Sequence, residues 1–255
     1  RGPKFSFIGK AETALDDLLN YAKKYDIELD IAPWQEYAFK LKQDHPLNFD
    51  RENPAVQQAE VMELLSGMLT ENTKVTTGVG NHQMFAAQHL ISLKPKTFLT
   101  SGGYGTMGFA LPTAIGAHYA NPDDTIITID GDGSLLMNLG ELFTVGKYQL
   151  PVKILLLNNH GDCMVRNIQD LIYGGAHVGT KKITDISFAN VAQEMGFAYS
   201  RRIDNRDELK QGLEDFISAE GPSFLEVVTD VDEMLYPRIP SGLGYKAMLL
   251  GPHIE

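Results

Sequence analysis

The sequence predicts an α/β domain with a doubly wound, mostly parallel sheet and helices on both of its faces. Three observations support this fold class. Strand-like and helix-like segments alternate along most of the chain, the strand-like segments are apolar nearly throughout, and turn-forming residues separate them. A strand without a polar face is typical of a parallel sheet that helices cover on both sides. The alternation begins near residue 53, so we assign residues 53–255 to this domain.

Residues 1–52 precede the alternating pattern, and we predict that they are the tail of a preceding element plus a linker. Apolar residues at helical spacing predict helices at 11–25 and 34–43. The segment 44–54, DHPLNFDRENP, is rich in turn formers and is the best candidate for the linker. Asn53 is predicted to cap the next helix, with Pro54 at the first helical position.

Beyond the linker, helices and strands are predicted in alternation. Helical spacing predicts helices at residues 54–69, 81–90, 105–120, 135–148, 183–196 and 206–219. Apolar, β-branched runs predict strands at residues 74–80, 96–101, 125–130, 152–159, 198–203 and 223–229. The helix at 105–120 opens with a glycine-rich turn. A helix between two strands makes those strands parallel, with a right-handed crossover.

Composition narrows the function classes. The chain has 255 residues, of which 43% are hydrophobic and 22% charged, as in soluble globular proteins. No apolar run approaches the roughly 20 residues that span a bilayer, and the first ten residues lack a signal-peptide core. A net charge of −11 disfavours nucleic acid and membranes as main partners. The single cysteine, Cys163, excludes an internal disulfide and indicates a reducing compartment, so we expect a cytoplasmic or organellar location.

Unusual polar residues follow two neighbouring strands. The run TIITI is followed by DGDGS, and VKILLL is followed by NNHGD. Because a parallel crossover places both strand ends at the same sheet edge, Asp132 and Asn159 should lie close together. Their oxygens suit Mg²⁺ or Ca²⁺. Gly131 and Gly133 allow close backbone approach, and Ser134 with the following helical N–H groups suits a phosphate.

These residues therefore predict a metal and diphosphate site at the carboxyl edge of the sheet. By spacing and residue type alone, an ordinary turn at GDGS and an ordinary loop at NN account for them equally well.

The motifs GDGS and NN, together with TTGVGNHQMFAAQ, TFLTSGGYGTMGFALPTAIGA and VDEMLYPRIPSGLGYKAML, resemble the thiamine-diphosphate enzyme acetohydroxyacid synthase, or acetolactate synthase, large subunit. The resemblance covers about residues 54–248 and implies the thiamine-diphosphate-binding fold. Residues 1–52 resemble the end of the family's middle domain, followed by the linker. It implies that 2-oxo acids are the substrates, with decarboxylation of pyruvate and ligation of the two-carbon unit to a second 2-oxo acid. The motifs are more specific for the cofactor than for one substrate.

The resemblance also implies roles for particular residues. Mg²⁺ would be bound by Asp132, Asn159 and the carbonyl oxygen of Gly161. The residues that would contact the cofactor are Asn81, His82, Gly105, Thr106, Met107, Gly133, Ser134 and Met164. Among these, Met107 would hold the cofactor bent, so that its own nitrogen serves as the base, although a core methionine is the usual role of this residue type.

The resemblance places the catalytic glutamate in a pyrimidine-binding domain that this sequence does not include, so we expect the chain alone to be inactive. That domain or subunit is an expected partner. The resemblance further implies a homo-oligomer, dimeric or tetrameric, a regulatory subunit, and FAD in the full-length enzyme, mostly outside this chain.

Three residues depart from the family pattern. Asn81 stands where a longer glutamine is usual, Cys163 replaces a glycine, and Ile168 replaces a tryptophan of the acceptor channel. We interpret Cys163 as a buried structural thiol, because no motif places a base beside it. Ile168 puts the usual acceptor in doubt. It keeps open another thiamine-diphosphate decarboxylase or carboligase, and a non-catalytic cofactor-binding subunit is a further alternative.

Overall fold

The computed structural model describes residues 3–181 and 186–252. The chain divides into two compact units, Arg1–Pro46 and Leu47–Glu255. The division falls inside the predicted linker. The first unit holds α1 (Ala11–Lys24) and α2 (Ala32–Asp44), both close to the predicted bounds, and neither helix buries a side chain.

The second unit is built on a six-stranded sheet in which every strand pair is parallel, in the order β2-β1-β3-β4-β6-β5. The strands are β1 (Thr73–Thr77), β2 (Phe98–Thr100), β3 (Thr125–Gly131), β4 (Val152–Asn158), β5 (Tyr199–Ile203) and β6 (Ser223–Val228). The helices are α3 (Gln58–Ser66), α4 (Asn81–His89), α5 (Ala110–Ala120), α6 (Asp132–Leu136), α7 (Glu141–Tyr148), α8 (Cys163–Tyr173), α9 (Phe188–Glu194) and α10 (Leu209–Ser218). This confirms the predicted fold class.

Two hydrophobic cores lie on opposite faces of the sheet because successive strand side chains point to opposite sides. Leu155 and Leu157 of β4 join one core, with side chains of α3, α4 and α10. Ile154 and Leu156 of the same strand join the other core, with side chains of α5, α7 and α9. All seven residues of β4 are buried, which explains why this strand has no polar face.

The predicted start of the third helix is wrong. Asn53 does not cap it: its Oδ1 accepts the N–H of Ala55 at 2.9 Å, which forms a local turn, and its Nδ2 donates to Asp230 at 2.9 Å. Helix α3 begins at Gln58. Its first N–H groups donate instead to the carboxylate of Glu233, from Gln58 at 2.6 Å and from Ala59 at 3.2 Å.

Three other helices differ from the prediction. The helix predicted at 135–148 is two helices, α6 and α7, and α6 starts earlier, at Asp132. A turn separates them where the side chain of Asn138 donates to the carbonyl oxygen of Gly108 at 2.7 Å. Helix α8 was not predicted. The helix predicted at 183–196 begins among residues that lie outside the described part, and α9 spans Phe188–Glu194.

Within the described ranges, no helix is both long and apolar enough to cross a membrane.

Candidate cofactor and metal site

A cleft of about 290 Å³ opens at the carboxyl edge of β3 and β4. The two strands are neighbours, with Gly131 opposite Leu157 in the register, so the loops that follow them start side by side. This arrangement confirms that the ends of the two strands lie together at one edge. The predicted site residues that line the cleft are Asn81, His82, Met107, Asp132, Gly133, Ser134, Asn159, Gly161 and Met164.

Gly105 and Thr106 do not belong to the described lining of the cleft. They lie in the exposed loop that leads to Met107, where the N–H of Gly105 donates to the carbonyl of Ser101 at 3.1 Å. The N–H of Thr106 donates to Oγ of the same serine at 3.1 Å. Gly105 adopts a φ of 65°, which glycine tolerates without the steric cost of a Cβ. This tight loop presents Met107 to the cleft.

The first strand end places a carboxylate and backbone N–H groups together. Asp132 is the first residue of α6 and is only 5% exposed. Gly131 precedes it, and a Cβ at Gly131 would lie 2.6 Å from Nδ1 of His82. Only glycine therefore allows His82 to pack against this turn.

The second strand end is a short loop shaped by hydrogen bonds from both sides. The N–H of His160 donates to Oδ1 of Asn158 at 3.1 Å, and His160 adopts a left-handed φ of 55°. The N–H of Asp162 donates to the carbonyl of Thr180 at 2.9 Å. Between these two bonds, Asn159 and Gly161 line the cleft.

His82, which lines the cleft, forms a buried pair with Asp130, which lies outside the described lining. Nε2 of His82 lies 3.5 Å from Oδ1 of Asp130, but it makes no hydrogen bond among the described residues. Burial lowers the pKa of His82 to about 3, against an opposing backbone hydrogen bond with Gly78, so its imidazole is neutral near pH 7. Burial likewise raises the pKa of Asp130 to about 7. The sequence analysis missed Asp130, although the doubled aspartate of DGDGS was a signal for it.

The hydroxyl group of Ser134 ties neighbouring loops to the site. Its Oγ accepts the N–H of Gly108 at 3.0 Å and the N–H of Val79 at 3.4 Å. A side-chain hydrogen bond from Ser134 also lowers the pKa of Asp130 against the effect of burial. Because the hydroxyl group is engaged by the protein, the backbone N–H is the part of Ser134 left to contact a phosphate.

Asn81 is held by a residue that the sequence analysis missed. Nδ2 of Asn81 donates to Oδ1 of Asn167 at 3.5 Å, and this oxygen also accepts the N–H of Leu235 at 3.2 Å. Asn167 is 2% exposed and lies on α8. The short side chain of Asn81 is thus linked to α8 and to the segment after β6.

Helix α8 supplies the remaining wall of the cleft. Cys163 is buried, as predicted, and burial together with the charge of Asp132 raises the pKa of its thiol to about 12, so it is no nucleophile near pH 7. Met164 faces the cleft. Ile168 lies one helical turn further along and is 37% exposed, outside the described lining.

The donor set fits a hard divalent cation. Asp132, Asn159 and Gly161 offer a carboxylate, an amide oxygen and a carbonyl oxygen around one cleft. Among the residues described, no group of three or more His, Cys, Asp or Glu side chains is arranged to hold a metal ion. A cation here would therefore need further oxygens from a bound phosphate or from water, as Mg²⁺ commonly does.

A parallel α/β sheet with oxygen donors and a helix start at its carboxyl edge defines a domain that binds a phosphorylated ligand. The family model of the thiamine pyrophosphate enzyme C-terminal TPP-binding domain matches residues 78–227. The chain belongs to this family, whose domain binds thiamine diphosphate.

Relatives include large subunits of acetolactate synthase. The chain is 38% identical to acetolactate synthase isozyme 2 large subunit of Escherichia coli, over 85% of this chain and 39% of the relative. It is 36% identical to acetolactate synthase 1, chloroplastic, of Nicotiana tabacum, over 97% of this chain and 38% of the relative. It is 38% identical to the mitochondrial acetolactate synthase of Schizosaccharomyces pombe, over 85% of this chain and 33% of the relative. The chain thus spans well under half the length of these relatives.

Proposed function

We propose that this chain is the diphosphate-binding and Mg²⁺-binding part of an acetolactate synthase-like enzyme. Such an enzyme decarboxylates pyruvate and ligates the two-carbon unit to a second 2-oxo acid. The observation that carries the proposal is the meeting of Asp132, Asn159 and Gly161 around one cleft, at the ends of adjacent parallel strands. The similarity to acetolactate synthases supports the reaction type.

In this proposal, Asp132, Asn159 and the carbonyl of Gly161 hold Mg²⁺, and the cation neutralises the diphosphate. The backbone N–H groups of Gly133 and Ser134 contact the diphosphate oxygens, because they lie in the first turn of α6, where N–H groups have no intrahelical partner. This local arrangement compensates for the net charge of −11, which would otherwise repel an anion.

Orientation of the cofactor falls to the loop before α5 and to α4. Thiamine diphosphate, when bound, supplies the acidic carbon and the electron sink for decarboxylation. Met107 would hold the cofactor bent, and the backbone of Gly105 and Met107, with Thr106 between them in the same loop, would contact the aminopyrimidine ring. His82, kept neutral by burial, and Asn81 lie beside the diphosphate. Met107 and Met164 add apolar walls that exclude water from the reacting carbon.

Ile168 affects the choice of acceptor substrate in this proposal. Ile168 lies one turn beyond Met164 on the same helix, outside the described lining of the cleft. An isoleucine leaves more room than an indole. This favours, as a second candidate, a thiamine-diphosphate decarboxylase or carboligase with a different acceptor.

Exposed apolar side chains around the cleft support a partner. Tyr104 is fully exposed, Met137 is 60% exposed, and Ile172 on α8 is 69% exposed. We propose that a pyrimidine-binding domain or subunit covers this region, that it supplies the catalytic glutamate, and that the assembled enzyme is a homo-oligomer. A regulatory subunit, and FAD bound mostly outside this chain, complete the proposal.

Calorimetry tests the metal assignment directly. We expect this chain to bind thiamine diphosphate only when Mg²⁺ is present, and Asp132→Ala to abolish that binding. The matched control is Asp124→Ala, at the opposite end of the same strand, where the carboxylate forms an ion pair with Lys74. The control should bind as the wild type does. Equal cofactor affinity in Asp132→Ala and the wild type would refute the assignment.

A further inference from the structure

Glu226 is a fully buried carboxylate in the middle of β6. Both of its oxygens accept hydrogen bonds: Oε1 from Nδ2 of Asn158 at 2.8 Å, and Oε2 from the N–H of Ala189 at 3.0 Å. Nη1 of Arg202 on β5 lies 3.7 Å from Oε1. Burying a carboxylate is costly unless its oxygens are satisfied, so the hydrogen bonds of this residue determine its effect on the fold.

The hydrogen bond to Asn158 leads to the metal loop. An amide group presents its oxygen on one side and its NH₂ group on the other. Because Glu226 can only accept from this amide, it turns the NH₂ group of Asn158 toward β6 and the oxygen toward the loop. That oxygen accepts the N–H of His160 at 3.1 Å and so closes the turn in which His160 has a φ of 55°. Asn159 lies inside this turn.

We propose that Glu226 is a positioning residue for the metal site, acting through Asn158 to hold the loop that presents Asn159 and Gly161. The inference rests on the proposed function, since it concerns the same site. Residues that hydrogen-bond directly to a metal ligand typically change metal affinity by roughly 10- to 100-fold when substituted. Glu226 acts on the ligand loop through one further residue, Asn158, so we expect an effect at the lower end of this range. Glu226 itself is not among the described residues that line the cleft.

Glu226→Gln tests the chain of contacts. A glutamine has one oxygen, so it cannot accept from both Asn158 and Ala189. If the glutamine oxygen still accepts the N–H of Ala189, the glutamine NH₂ group faces the NH₂ group of Asn158, and two donors then oppose each other. The amide of Asn158 must flip to relieve this. The flip turns its NH₂ group toward the N–H of His160, which loses its acceptor. We expect about tenfold weaker Mg²⁺-dependent binding of thiamine diphosphate by calorimetry.

The reversed pair, Glu226→Gln with Asn158→Asp, should restore binding to within about threefold of the wild type. The glutamine oxygen would accept from Ala189, and its NH₂ group would donate to the new aspartate. The second aspartate oxygen would accept the N–H of His160, so that every partner is satisfied again. A reversed pair that binds as weakly as Glu226→Gln would overturn the inference, as would a Glu226→Gln variant with wild-type affinity.

The control separates positioning from helix stability, since Glu226 also caps α9 through Ala189. Ser187→Ala weakens the same helix start by removing the oxygen that accepts the N–H of Asn190 at 3.3 Å, without touching Asn158. It should leave cofactor affinity within about twofold of the wild type. An affinity loss as large as that of Glu226→Gln would show that Glu226 acts only through α9.

Amide hydrogen exchange at His160 tests the inference without metal or cofactor. We expect exchange to be roughly tenfold faster in Glu226→Gln and restored in the reversed pair. If the wild type fails to bind thiamine diphosphate with Mg²⁺, the proposed function fails, while this pattern still decides whether Glu226 orders the loop. Unchanged exchange at His160 would overturn the inference.

Discussion

The capping of α3 by a distant carboxylate makes the stability of this protein depend on pH. Glu233 is 7% exposed, and its oxygens accept the N–H groups of Gln58 and Ala59. Burial raises its pKa from 4.5 to about 8, and this effect exceeds the lowering by the two N–H donors. The folded state therefore holds a proton on Glu233 up to a pH at which the unfolded state has lost it.

The sign and size of the effect follow from this difference. A group whose pKa is raised by folding contributes its full stability below the unfolded pKa and loses it as pH rises through the folded pKa. Each pKa unit corresponds to about 1.4 kcal/mol. Between pH 4.5 and 8, ionisation of Glu233 should therefore lower the free energy of unfolding by about 5 kcal/mol, of which about 3 kcal/mol is lost by pH 7.

Denaturant unfolding of the wild type and of Glu233→Gln, measured from pH 4 to 9, isolates this contribution. Below about pH 4.5 the variant should be about 1 kcal/mol less stable than the wild type, because one of the two N–H groups no longer has an acceptor. As pH rises from about 4.5 to about 8, the wild type should lose stability while the variant keeps it, so the variant becomes the more stable of the two. The difference in stability should level off above pH 8. Asp232→Asn, at an exposed neighbour in the same loop, is the matched control for removing a carboxylate from this segment.

Other groups titrate in the same range, but they are common to both proteins and cancel in the comparison. His82, with its lowered pKa, contributes stability that is lost as pH falls, which is the opposite direction. A difference between wild type and variant that stays flat from pH 5 to 8 would refute the reasoning. It would show that the N–H donors at the helix start hold the carboxylate ionised.

Three further predictions concern packing, the acceptor and the partner. Gly146→Ala should destabilise the fold by about 3 kcal/mol in thermal or denaturant unfolding, because the new Cβ would lie 1.8 Å from the carbonyl oxygen of Met195. The control, Gly116→Ala, lies in a helix with open space around it and should be neutral or stabilising. Equal stability of the two variants would contradict this packing. In the assembled enzyme, Ile168→Trp should shift products toward 2-aceto-2-hydroxybutyrate when pyruvate and 2-oxobutyrate compete, and an unchanged ratio in an active variant would remove residue 168 from the acceptor channel. The chain alone, assayed with Mg²⁺ and thiamine diphosphate, should form no acetolactate until a pyrimidine-binding partner is added. Robust turnover without that partner would mean that the catalytic carboxylate is misplaced or that the site needs none.

The strands and the position of the site were predictable from local sequence. Apolar β-branched runs such as the one at 152–159 favour strands covered on both faces, and their alternation with helices predicted that the strands are parallel. The meeting of Asp132 and Asn159 followed as well, since a right-handed crossover returns both strand ends to one edge. Burial of Cys163 was also predictable, because no motif placed a base beside it that would mark it as a nucleophile.

Local sequence did not predict the contacts that hold the site in place, because they join residues far apart in the chain. Helix α3 is capped by Glu233, 175 residues beyond Gln58, so a turn at Asn53 misled a prediction based on neighbours. Asn158 is oriented by Glu226, 68 residues further along. A buried carboxylate carries no periodic signal, since its role depends on which donors the packed strands and helices bring within hydrogen-bond reach, and only the tertiary structure decides that.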